Sequence, residues 1–190
     1  MNPGTWHGRL GVAVDLMVPD ALSGSGGRRG ARIPVHGNRV ARRTTGLEAA
    51  VIDNSEHTVT GLADDDGRSF TIRVAGPAAL LVAKTIKIDE RLRQPERLSP
   101  KDSLDVLRLL QSVETNTLAL QLTRLAEEPL CSETTRQAIR SLRSHGTSPA
   151  GPYATMAAQA AGPLADPDTI AATLAFLIED LMLAVGSQCH

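Results

Sequence analysis

Residues 75–92 read AGPAALLVAKTIKIDERL, and residues 99–111 read SPKDSLDVLRLLQ. These two stretches decide the fold. Gly76-Pro77 opens the first, and a proline suits a first helical turn because its missing N–H would have no partner there. Ala78, Leu81, Thr85, Ile88 and Leu92 fall on one helix face, while Lys84, Lys87 and Arg91 fall on another. In the second stretch Ser99 stands at the N-cap, Pro100 at the first helical position and Asp102 three residues after the cap, as in a capping box.

Downstream the pattern stays helical. Helices are predicted over Asn116–Glu128, Ser132–His145, Gly151–Ala161 and Asp168–Val185, separated by Pro129, the Gly146–Pro152 stretch and Pro163–Pro167. Upstream the reading changes to strands and turns. GRLGVAVDLMVP (8–19) predicts a strand ending at Pro19, RIPV (32–35) a short strand, and LEAAVID (47–53) a strand or a helix. HTVTGL and RSFTIRV flank the acidic turn Ala63-Asp64-Asp65-Asp66-Gly67 and predict a hairpin. A β-rich portion over 1–75 followed by a helical portion over 76–190, forming one compact unit, gives the α+β class.

Composition bounds the function. The chain has 190 residues, a 42% hydrophobic fraction and a net charge of −1. It is long enough for a core without disulfides and is not basic overall. Only four aromatic residues occur, so a base-stacking RNA platform is disfavoured. Cys131 and Cys189 form neither a metal motif nor a CxxC pair. The N-terminus lacks an apolar signal region, and the most apolar run, IAATLAFLIEDLMLAV, carries Glu179 and Asp180 at its middle. These features predict a soluble cytoplasmic protein without a membrane segment.

Four groups of residues carry potential chemistry. Asp15 shares its predicted strand with apolar neighbours; a carboxylate buried there needs a metal, an arginine or backbone donors, while on an edge strand it is solvated. Lys84, Lys87 and Arg91 form a cationic face suited to phosphate or, equally, to solvent; the chain's only other lysine is Lys101. Asp102 and Asp105 share a face near a helix start, where they suit a divalent ion, a lysine or, for Asp102, a helix cap. Arg28, Arg29, Arg32, Arg39, Arg42 and Arg43 lie in a stretch, 21–47, that holds no acid and suits RNA or phosphate contact or, equally, a solvated loop.

VDLMVP, GLEAAVID, RVAGPAALLVAKTIKIDER and SPKDSLDVLRLL, in this order between about Gly11 and Leu110, resemble the AbiEii/AbiGii-like nucleotidyltransferases. Most of that family are toxins of toxin–antitoxin or abortive-infection systems. The resemblance implies a partial DNA polymerase β-like nucleotidyltransferase sheet ahead of the helices. It implies transfer of a nucleotide from an NTP to an RNA acceptor such as a tRNA, with Mg²⁺ as cofactor and an antitoxin protein as partner. It assigns Lys84, with Lys87 and Arg91, to phosphate, and Asp15, Asp102 and Asp105 to catalysis, with Asp15 as a metal ligand. The family's Gly-Ser turn followed by paired acids is missing ahead of Asp15. The expectation is therefore an N-terminally incomplete enzyme or an inactive form. The alternative is a non-catalytic RNA- or protein-binding module using segment 28–43.

Overall fold

The computed structural model describes residues 4–24, 30–163 and 165–188. Its first half holds β1 (Thr5–His7), β2 (Ala13–Asp15), β3 (Met17–Pro19), β4 (Arg42–Thr44), α1 (Ala49–Ile52), β5 (Asn54–Thr60) and β6 (Ser69–Ala75). Its second half holds α2 (Pro77–Leu92), α3 (Pro100–Ser112), α4 (Thr115–Glu127), α5 (Ser132–His145), α6 (Pro152–Ala160) and α7 (Pro167–Ser187). The chain is thus α+β, strands first and helices after. Among the described residues the strands form three two-stranded ladders rather than one sheet.

The strand expected over 8–19 is split. Gly8–Val12 is a turn, closed by Gly8 N–H to the Val12 carbonyl at 2.8 Å, with Gly11 at φ +76°. β2 then runs antiparallel to β1, pairing Asp15 with Thr5. At Leu16 the chain changes partner: Leu16 N–H bonds Gly4, the Leu16 carbonyl accepts from Arg42, and β3 runs parallel to β4. Residues 32–35 form a tight turn instead of a strand, with His36 and Gly37 N–H both on the Ile33 carbonyl. Pro34 lacks the N–H a ladder would need there. Of the two readings for LEAAVID, the helix is found, as the single turn α1.

The hairpin is as expected. β5 and β6 pair antiparallel from Asn54↔Ala75 to Thr60↔Ser69. Its turn is polar: the Asp66 carboxylate takes a two-pronged grip from Arg68 at 2.6 and 2.7 Å. Val59, Phe70, Ile72 and Val74 share one face by the register, and all are exposed.

The core lies in the helices. α2 packs against α1, α3 and α5, and its Ala78, Leu81, Ile86 and Ile88 are buried. Thr85 lies in the same buried face, and Leu92 packs partly buried at its edge. Two local devices fix the entry of α2. The Asp53 carboxylate, at the end of α1, accepts the Ala79 N–H at 2.8 Å, so it caps a helix from outside it. Gly76 is the residue that fits beneath it, because a Cβ there would collide with that carboxylate. Gly46, at φ +89°, likewise lies where a Cβ would meet Ile86 at 2.9 Å. Beside it, the buried Glu48 carboxylate accepts the Gly46 N–H at 2.8 Å.

α3 carries α6, which in turn packs on α7, and α4 also lies on α7. By length and hydropathy alone α7 could cross a bilayer. Leu174, Ala175, Ile178, Leu181, Met182 and Val185 are buried within the helical core, while Glu179 and Asp180 are exposed. α7 thus buries one stripe against the other helices and leaves Phe176 and Leu183 exposed on the opposite side. Cys131 is a buried core residue whose thiol donates to the Leu125 carbonyl at 3.3 Å, and burial pushes its pKa up.

Candidate phosphate-binding site

α2 and α3 lie side by side, joined by a short turn through Pro95–Arg97. This places the cationic face of α2 against the first turns of α3. The Asp102 side chain is only 5% exposed there, and three cations converge on it. Lys87 Nζ lies 2.8 Å from Oδ1, Arg91 Nη1 lies 2.8 Å from Oδ2, and Lys84 Nζ lies 3.4 Å from Oδ1. Asp105, one helical turn on, takes Lys84 at 2.7 Å through Oδ2 and Arg108 at 3.4 Å through Oδ1.

The expected capping box is therefore not what Asp102 forms. Ser99 makes no side-chain cap, and the Asp102 N–H donates to the Ser99 carbonyl at 2.9 Å instead. The carboxylate is held by α2 instead. A near-buried carboxylate needs such partners, because its desolvation is costly unless it is paired and hydrogen-bonded. Nor is the α2 cationic face simply a solvated stripe. Its charges are fixed in place by two acids from a neighbouring helix.

The electrostatics follow from this geometry. Burial alone would lower the pKa of Lys84. The hydrogen bond to Asp105, with the charges of Asp102 and Asp105, outweighs burial and holds the ammonium above its usual value. Asp105 is held below the usual carboxylate range, first by its hydrogen bond with Lys84. Lys84, Lys87, Arg91 and Arg108 face Asp102 and Asp105, four cations against two carboxylates, so two positive charges are in excess. The α2 side chains are 24–43% exposed. An anion approaching from solvent meets them already oriented and under-neutralised.

Asp15 does not join this cluster. It sits in β2, is 48% exposed, accepts from Thr5 Oγ1 at 2.6 Å and lies 3.9 Å from Arg42. Of the readings open for Asp15, the solvated strand with an arginine beside the carboxylate is the one found, because its ladder is open to water. The basic segment is also less free than its composition suggests. Arg42 faces Asp15, and Arg43 is ion-paired with Asp20, whose carboxyl it holds below the usual range. Among the described residues, the side chains of Arg32 and Arg39 make no hydrogen bond or ion pair; Arg28 and Arg29 lie outside those residues.

The carboxylates do not fit a magnesium centre. Asp102 gives both oxygens to cations, Asp105 is engaged by Lys84, and Asp15 belongs to another ladder. Among the described residues, no three His, Cys, Asp or Glu side chains converge as a metal-ligand group. What these side chains can do is hold phosphate oxygens with pre-oriented cations.

Sequence reasoning missed a second polar cluster. Asp89 is 9% exposed, and its Oδ2 accepts from Gln137 at 2.9 Å and Arg93 at 3.0 Å. Nearby, Tyr153 OH and Ser141 Oγ share a hydrogen bond of 3.1 Å, and burial pushes the phenol up to about 12. The signal was the acid at 89 in an otherwise apolar helix face, but its partner Gln137 is 48 residues away. Comparison with family models, with curated proteins and with solved structures gives no match.

Proposed function

We propose that this chain binds the triphosphate of a nucleoside triphosphate, as the phosphate-holding part of a nucleotidyltransferase-like cytoplasmic protein of toxin–antitoxin type. One observation carries the proposal: Lys84, Lys87 and Arg91 are oriented by Asp102 and Asp105, with positive charge left over. Lys84 and Lys87 supply point charges and Arg91 a planar fork, the usual chemistry for phosphate oxygens. Asp102 and Asp105 act as positioning residues that hold the cations in register. The transfer of a nucleotide to an RNA acceptor rests on the resemblance of the α2–α3 sequence to that family, as does an antitoxin partner. No step is assigned to a metal, because the acids present are committed to cations.

Calorimetric titration with each of the four NTPs and with tripolyphosphate tests the binding. Saturable one-to-one binding that falls at least tenfold on Lys84→Ala, with the fold intact by circular dichroism, supports it. Binding that is unchanged by Lys84→Ala and Lys87→Ala together overturns it.

A second reading has one observation in its favour. Arg32 and Arg39 have no acidic partner among the described residues, which suits a basic strip contacting RNA without catalysis. It predicts RNA binding that weakens steeply with salt and on Arg32→Ala/Arg39→Ala. Salt-independent binding would exclude it.

A further inference from the structure

α2 packs against α3 on its cluster side and against α5 on another. Between α2 and α5 lies an open cavity of about 390 Å³, lined by Asp89, Arg93, Gln137, Arg140, Ser144 and His145 among others. Its size is within the range of small-molecule sites. No residue of the cation–carboxylate cluster lines it.

The lining has a definite chemistry. Asp89 is nearly buried and fixed: Gln137 and Arg93 both donate to Oδ2. Among the described residues nothing donates to Oδ1. A fixed carboxylate with one oxygen to spare accepts hydroxyl donors. Arg93 already offsets its charge, so neutral hydroxyls suit it better than an ammonium group. Arg93 is 73% exposed and Arg140 is 62% exposed. Among the described residues Arg140 is paired with Glu133 alone, itself 79% exposed, so a phosphate can displace that pairing at little cost. Ser144 and His145 add further hydrogen-bonding groups at the same rim. No Phe, Tyr or Trp lines the cavity, which leaves little apolar surface for a nucleobase.

We propose that this groove binds a phosphorylated sugar. The Asp89 carboxylate takes a sugar hydroxyl, and the Arg93 and Arg140 guanidinium groups take the phosphate. The site is separate from the α2–α3 cluster and does not depend on nucleoside triphosphate binding.

Titration calorimetry with ribose 5-phosphate, ribose, inorganic phosphate and glycine tests this. Ribose 5-phosphate is expected to bind one-to-one and more tightly than ribose or phosphate alone. Arg140→Ala and Asp89→Asn should each weaken it at least tenfold, while Lys84→Ala should leave it unchanged. Arg140 is exposed, so its variant decides the matter even if Asp89→Asn fails to fold. Equal affinity for inorganic phosphate, preferential binding of glycine, absence of binding, or loss on Lys84→Ala would each overturn the proposal.

Discussion

Replacing Asp102 by asparagine removes one negative charge from the centre of the α2–α3 cluster and changes little else in volume. At an effective dielectric of about 20, a charge pair at 4 Å attracts by about 4 kcal/mol, and desolvation cancels much of that. Breaking a fully buried pair by deleting one partner costs about 3–5 kcal/mol. Here the orphaned cations are 24–43% exposed and can turn partly to water, which brings the expected loss to about 2–3 kcal/mol. For a chain of this length that is a fall in Tm of roughly 5–10 °C. The amide would also turn an N–H toward either Lys87 or Arg91, so the substitution is not a neutral hydrogen-bond swap. Differential scanning calorimetry of the wild type, Asp102→Asn, Arg91→Met and the double variant gives the coupling directly. The coupling between positions 91 and 102 should be about 1–2 kcal/mol. A Tm change under 1 °C for Asp102→Asn, or strict additivity in the cycle, would refute the idea that this acid holds the cations in place.

Other outcomes follow from the same structure. Gly76→Ala should cost about 1 kcal/mol by displacing the Asp53 cap, and should cost nothing further in an Asp53→Ala background; urea titration of the two singles and the double checks this. Asp105 and Asp20 are depressed in the folded state, so the stability they supply is present above about pH 4 and is lost as pH falls through their folded values. Melting curves from pH 6 to pH 2 should therefore fall below about pH 4, and less steeply in Asp105→Asn. Tyr153 is raised to about 12, so the folded state loses about 2–3 kcal/mol as pH climbs from about 10 to 12. Tyr153→Phe should flatten that alkaline slope, leaving the part due to Lys84, whose raised pKa acts in the same direction. An unchanged alkaline slope in Tyr153→Phe would contradict the buried-phenol account.

The helical half was legible because its signals are local. Pro77, Pro100 and the 3.6-residue apolar spacing of Ala78, Leu81, Thr85 and Ile88 need no distant partner to be read. Ser132–His145 is found as expected, and the other helices shift by only one or two residues at their ends. The β-rich half was less legible, because a strand is defined by what it pairs with. VAVDLMV reads as one strand, yet the chain changes partner at Leu16, and neither Gly4 nor Arg42 can be identified as its partner from local pattern. The candidate site divided in the same way. The lysine face of α2 and the acid face of α3 each follow from helix periodicity. That they face one another depends on the turn between them, which spacing alone does not orient. Asp102 could be read as a cap, a metal ligand or a lysine partner, and the packing of α2 on α3 brings Lys84, Lys87 and Arg91 onto it. Asp15, placed in the site by resemblance, lies in a different ladder with partners of its own.

The chain has three lysines, Lys84, Lys87 and Lys101, so a sample labelled at lysine Cε gives three resolved NMR signals. Following them while adding a nucleoside triphosphate tests the central claim at the atoms concerned. The Lys84 and Lys87 signals are expected to shift saturably with one common affinity, and Lys101 to change less. Three signals that move alike and without saturation, or that do not move at all, would contradict it.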